Sequence, residues 1–143
     1  MNIQIRHIGV VVFDIEKTLG FYRDMLGFSI VRDTEEYGGY IDTLLGEKGA
    51  SVRTVKLSSG SNTLIELLYF SSPSAEPGQQ KVCTAGFSHI ALTVEKIDAA
   101  YKKLQQKGIV FISAPQVSPD RRAKVVFCRD PEGNLVELVE GLK

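Results

Sequence analysis

The chain repeats itself, and the repeat limits what it can fold into. Residues 6–27, RHIGVVVFDIEKTLGFYRDMLG, match residues 88–108, SHIALTVEKIDAAYKKLQQKG, when His7 is set on His89. The same register pairs Ile8 with Ile90, Val12 with Val94 and Ile15 with Ile97, and one deletion brings Gly27 onto Gly108. Each copy starts as a β-rich run and then changes to helical spacing, with apolar residues at Leu19, Tyr22 and Leu26 and at Ile97, Tyr101 and Leu104. Each helix stops at a glycine suited to a C-cap, and an apolar strand is expected next, FSIV (28–31) or IVFI (109–112). Further on, LIEL at 64–67 corresponds to LVEL at 135–138, and SVRTVKL (51–57) and KVVFC (124–128) read as additional strands.

The pattern predicts an α+β fold of two tandem βαβββ modules. Module one spans 1–70, a Ser-, Pro- and Gly-rich linker 71–86, and module two 87–143, within one domain. Copies of this length exceed solenoid repeats. Two of them suggest a pseudo-twofold arrangement in which curled sheets share a cleft and present equivalent strand positions to it. The stretch TEEYGGYIDTLLGEKGA (34–50) belongs to the first copy alone. It is expected to be a loop or lid over one end of the sheet, with a short helix around Ile41–Leu45.

Composition narrows the possible partners. Seventeen basic residues balance 17 acidic ones, so no net charge draws the chain to nucleic acid or an anionic membrane. No apolar run approaches the roughly 20 residues of a membrane helix. The first residues, MNIQIRHIGVVVF, lack the regions of a signal peptide, and a cytoplasmic location is the default expectation. Cys83 and Cys128 lack the spacing of a zinc site or a disulfide framework and read as reduced thiols.

Four polar residues stand out against this pattern. His7 and His89 are the two histidines of the chain and open equivalent strands, while Glu66 and Glu137 sit inside the equivalent apolar strands NTLIELLYF and NLVELVE. Taken singly, each has an ordinary explanation: a histidine at a strand start is usually a surface or capping residue, and a strand glutamate can face solvent. Taken together, histidine matches histidine and glutamate matches glutamate. A carboxylate inside such a strand must be protonated, paired or bound to a metal. Two imidazoles and two carboxylates suit one divalent cation, with Ni, Co, Mn, Zn and Fe all compatible. Glu140, three residues past Glu137, leaves the other face of the strand and is expected to reach solvent.

These residues carry a family resemblance. HIGVVVFDIEKTLGFYRDMLGF, the LIEL strand, SHIALTVEKIDAAYKKLQQKG and DPEGNLVELVE resemble the vicinal oxygen chelate superfamily, over nearly the whole chain. That superfamily includes glyoxalase I, methylmalonyl-CoA epimerase, extradiol dioxygenases, fosfomycin-resistance proteins and bleomycin-binding proteins. The resemblance implies a mixed, curled eight-stranded sheet around a metal cleft, with ligands His7, Glu66, His89 and Glu137 on the first, fourth, fifth and eighth strands. A His-Glu-His-Glu set is similar to the bacterial glyoxalase I pattern, whereas epimerases typically carry Gln at the second position. Extradiol dioxygenases use two histidines and one carboxylate, and bleomycin-binding members lack the metal set. Positions 8–13, IGVVVF, hold no arginine where glutathione-binding members tend to carry one, and SPDRRAKVVF departs from the loop expected before the last strand. DPEGNLVEL looks more like glyoxalase than epimerase.

The expected chemistry is that of a lyase or isomerase. The metal polarises a carbonyl, acidifies the adjacent C–H and stabilises the resulting enediolate. A glutamate able to loosen from the metal carries the proton: Glu137 or Glu66, with Glu137 favoured by the resemblance. Arg53, Lys56, Arg121 and Arg122 are candidates for holding a carboxylate, phosphate or thioester substituent of a small-molecule substrate, or are simply exposed charges. The alternatives are a ring-cleaving dioxygenase and a non-catalytic small-molecule binding or resistance protein. The resemblance also implies a homodimer.

Overall fold

A computed structural model describes residues 1–75, 83 and 85–143. Most of the expected linker, residues 76–82 and 84, lies outside the described residues. The chain divides into two compact units, Met1–Pro77 and Gly78–Lys143. The first contains β1 (His7–Val11), α1 (Ile15–Leu19), β2 (Ser29–Tyr37), α2 (Gly39–Leu45), β3 (Ser51–Ser58) and β4 (Leu64–Ser72). The second contains β5 (His89–Thr93), α3 (Ile97–Gln106), β6 (Gln116–Val117), β7 (Ala123–Arg129) and β8 (Leu135–Gly141). Among the described residues no helix is long and apolar enough to cross a membrane.

Among the described residues eight strands form two four-stranded mixed sheets, ordered β1-β4-β3-β2 and β5-β8-β7-β6. In each sheet the first strand of the unit runs parallel to the last, and the remaining pairs are antiparallel. The parallel pairing requires a long crossover, and the helix supplies it. The repeat persists in individual hydrogen bonds: Val12 N donates to Leu68 O at 2.9 Å, and its counterpart Val94 N donates to Val139 O at 2.9 Å. Gly27 and Gly108, which end the matching helices, both have the left-handed backbone that favours glycine (φ 82° and 84°).

Apolar alternation sends one face of each sheet toward its helix. In unit one Val55, Leu57, Ile65 and Leu67 are buried, together with Ile15, Leu19, Phe21 and Tyr22. The rings of Phe21 and Phe28 both meet Tyr22 edge-on. In unit two the buried set is Val126, Cys128, Val136 and Leu138 with Ile97 and Leu104.

Three of the differences between the two copies have a local cause. After α1 the backbone continues as a π-helical turn, Gly20–Met25, in which Leu26 N donates to Phe21 O. This is where module one carries one residue more than module two, and a π turn absorbs an inserted residue without breaking the helix. The second difference is helix capping. Asp14 caps α1 by accepting from Lys17 N at 3.0 Å, but the matching position in module two is Lys96, which makes no side-chain cap. Glu140 takes over, accepting the Ile97 N–H at 2.7 Å. Glu140 therefore leaves the face opposite Glu137, as expected, but ends on the helix N-terminus instead of in solvent.

The third difference corrects the sixth strand. IVFI (109–112) is not a regular strand: Arg129 N donates to Val110 O, Phe111 bridges Cys128, and Ile112 N donates to Phe127 O. The ladder resumes at Gln116↔Val125, two residues out of step, as β6. Pro115 lies at the slip, where a missing N–H and fixed φ interrupt pairing. In module one, by contrast, the expected loop at 34–50 begins as ladder, since β2 runs to Tyr37. Then α2 seats Ile41 against Ala50 and Val52, with Leu68 and Phe70 alongside.

Replacing Glu140 should weaken α3 docking without touching the Glu137 face. Glu140→Ala is expected to destabilise the protein by about 1–2 kcal/mol, the usual cost of a lost cap and an unsatisfied part-buried N–H. Urea denaturation measures it. Unchanged stability would show that the cap contributes nothing.

Candidate metal centre

Strand geometry sets the position of each of the four singled-out residues. In the parallel β1–β4 pair His7 lies opposite Leu64 and Gly9 opposite Glu66, so His7 and Glu66 are diagonal neighbours on one face. His7 Nε2 is 3.2 Å from Glu66 Oε2. The β5–β8 pair repeats the register, with His89 opposite Leu135 and Ala91 opposite Glu137. His89 Nε2 is 3.1 Å from Glu137 Oε2. Both carboxylates are mostly sheltered, with side chains 13% and 21% exposed. The structure thus brings His7 to Glu66 and His89 to Glu137, one pair in each unit. Within either unit, no third His, Cys, Asp or Glu among the described residues joins the pair.

The surroundings leave Nε2 as the ring atom each histidine presents. Nδ1 of His7 is buried with no hydrogen-bond partner among the described residues, and Nδ1 of His89 is 3.0 Å from Ser88 Oγ. Two donors on one octahedral ion at about 2.1 Å stand roughly 3.0 Å apart, or about 3.4 Å apart if the ion is tetrahedral. The separations of 3.1 and 3.2 Å lie in that interval, so each pair fits as two donors, one nitrogen and one oxygen, to a single ion. Without a cation the same contacts are imidazole–carboxylate pairs.

Next to the matched pairs, the two faces differ. Beside Glu66 on β3 stands Lys56, its Nζ 3.4 Å from Glu66 Oε1. The corresponding place beside Glu137 on β7 is Phe127, whose ring meets His89 edge-on at 5.1 Å. Ser88, His89, Ile112, Phe127 and Leu135 line a small cleft of about 230 Å³. Spacing along the sequence carried no signal for this contrast, because cross-strand register decides which β3 or β7 residue adjoins each glutamate.

The other proposed substrate contacts separate. Arg53 is on the opposite face of β3, held bidentately by Asp33 (Nη2···Oδ2 2.8 Å) and by Glu16 at 2.9 Å. The Arg53 hydrogen bond keeps the Asp33 carboxyl below its ordinary range. Arg53 is therefore committed to structure. Because the folded pKa of Asp33 is depressed, the stability it contributes is present above the ordinary carboxylate range and fades as pH falls through the folded value. Arg121 and Arg122 lie in the exposed turn after Ser118, with Arg121 at φ 59°.

Matched imidazole–carboxylate pairs on two tandem βαβββ modules define a class of small two-module α+β proteins. A family model described as the Glyoxalase/Bleomycin resistance protein/Dioxygenase superfamily matches residues 4–138, and the chain belongs to that superfamily. It is 32% identical to the uncharacterized protein YwkD of Bacillus subtilis, over 95% of each chain. It is 34% identical to the mitochondrial methylmalonyl-CoA epimerase of Mus musculus, over 94% of this chain and 71% of that one. A glyoxalase family protein from Bacillus cereus superposes with a TM-score of 0.89 at 20% identity, covering 100% of this chain and 97% of the other. At that identity the likeness concerns the fold.

Ser88 should orient His89 through Nδ1, as outer hydrogen bonds to ligating histidines generally do. Ser88→Ala is expected to lower affinity for Ni or Co by about ten-fold, the small end of the usual range because the contact is exposed. Competition with a chelator measures the change. An unaltered affinity would mean that Ser88 plays no part in holding the ring.

Proposed function

We propose that the protein is a divalent-metal-dependent lyase or isomerase that moves a proton at the carbon next to a carbonyl of a small-molecule substrate. The observation that carries this reading is the repeated pair: an imidazole Nε2 within 3.1–3.2 Å of a sheltered carboxylate oxygen, at equivalent strand positions of both modules. His7, Glu66, His89 and Glu137 would together hold one ion, of Ni, Co, Mn, Zn or Fe. When bound, the ion supplies Lewis-acid polarisation of the substrate carbonyl.

The remaining work falls to the chain. Glu137 takes the proton from the carbon beside the carbonyl as the C–H electron pair shifts toward the carbonyl oxygen. It then returns the proton to the neighbouring carbon; inversion at the same carbon would instead need a second proton donor, for which Glu66 is the candidate. Ser88 keeps the His89 ring turned so that Nε2 faces Glu137. Phe127 and Leu135 keep water sparse beside Glu137, which limits proton loss to solvent. Two complete pairs favour this chemistry over ring cleavage, which needs two histidines and a single carboxylate. The likeness to an epimerase supports the same side.

The test combines metal content with isotope exchange. Wild type reloaded with Ni or Co should hold one ion per chain, and Glu66→Ala should lose it. Metal-loaded wild type should place solvent deuterium next to the carbonyl of hemithioacetal or acyl-thioester substrates. Glu137→Gln should retain the ion and slow exchange by at least about 100-fold, the usual contribution of a positioned base. Exchange by Glu137→Gln at the wild-type rate would move the base elsewhere, and no exchange in metal-loaded wild type would remove the enzyme reading.

A further inference from the structure

The two modules repeat their His–Glu pairs but not what stands beside them, and the mismatch bears on the substrate. In the first sheet the row across the strands is Gly9, Glu66, Lys56 and Arg32, by the registers Gly9↔Glu66, Lys56↔Glu66 and Arg32↔Lys56. Directly opposed residues of neighbouring strands leave the same face, so both basic side chains share the face of Glu66. In the second sheet the row is Ala91, Glu137 and Phe127, with Ile112 bonded to Phe127 beyond it. One glutamate has a cation at its side, the other an aromatic ring.

Lys56 is not needed to settle its glutamate. Glu137, in the same strand setting, is answered by His89 at 3.1 Å with Phe127 in the lysine's place. Glu66 likewise has His7 at 3.2 Å on one oxygen, and Lys56 approaches the other at 3.4 Å. Its side chain is only 21% exposed, so the ammonium is held at the sheet face instead of extending into solvent.

Charge counting shows what this does, on the four-ligand reading proposed above. A divalent cation balances Glu66 and Glu137, leaving the Lys56 charge surplus, with Arg32 next along the row. A sheltered surplus cation favours an anionic partner, and the flexible lysine stem lets Nζ leave Glu66 to meet it. Arg53 cannot serve, being tied to Asp33 and Glu16 on the other face. We propose that Lys56 is a specificity-determining residue that binds an anionic group of the substrate, and that the substrate is a carbonyl compound carrying a carboxylate.

A matched pair of chelators tests this by binding, apart from turnover. Acetohydroxamate and succinate monohydroxamate share one metal-binding head, and only the second carries a carboxylate arm. Calorimetry on Ni-loaded wild type should show the carboxylate-bearing probe binding roughly ten-fold tighter or more, as expected for a charge-assisted contact. Lys56→Met should abolish the preference with metal content unchanged, and Lys56→Gln serves if the methionine variant does not fold. Lys56→Arg should retain the preference. Equal binding of the two probes by wild type, or a preference surviving Lys56→Met or Lys56→Gln, overturns the assignment. Failure of both probes to bind metal-loaded wild type would instead overturn the chelating site itself, and Lys56's role with it.

Discussion

A carboxylate in the interior of an apolar strand has to be answered by a partner, because shedding its water uncompensated costs several kcal/mol. In both modules the answer is geometrically the same. The first strand runs parallel to the last, and a histidine two residues before the glutamate's cross-strand neighbour reaches it diagonally. The parallel pairing is itself a consequence of the crossover helix, whose apolar stripe needs the opposite sheet face. Helix, sheet order and polar pair therefore depend on one another. A strand slip of one residue would turn Glu66 or Glu137 into the packed layer and Leu67 or Leu138 out of it.

Much of this was legible in the sequence because the signal was given twice. One histidine at a strand start means little, but His7 and His89 in register, with Glu66 and Glu137 in register, exclude most ordinary explanations. The helices were visible through their apolar spacing and their terminal glycines at 27 and 108. The less legible features depend on how separate segments meet. That Glu140 would cap α3 follows from Lys96 leaving the helix start without a side-chain acceptor, which becomes apparent only once β8 lies beside it. The displacement of the sixth strand to Gln116–Val117 reflects Pro115, whose effect on pairing outweighed the apolar pattern of IVFI. The extra residue before Gly27 was countable, but that it would form a π turn was a matter of local backbone energetics.

Departures from symmetry are where a duplicated site acquires a direction. Here one glutamate adjoins Lys56 and the other Phe127, so the two pairs differ in charge and polarity while keeping the same donor atoms. This division suits chemistry in which one carboxylate stays a ligand and the other handles a proton. It also fits a superfamily whose members share a fold across different reactions, with function residing in side chains added to a constant frame.

We propose that both pairs serve one ion. Diffraction from crystals of the Co- or Ni-loaded protein at the metal's absorption edge tests it most directly. One shared ion predicts a single anomalous peak per chain, contacted by Nε2 of His7 and of His89 and by carboxylate oxygens of Glu66 and Glu137. Two peaks, each on one His–Glu pair, or a single peak bound elsewhere, would contradict it.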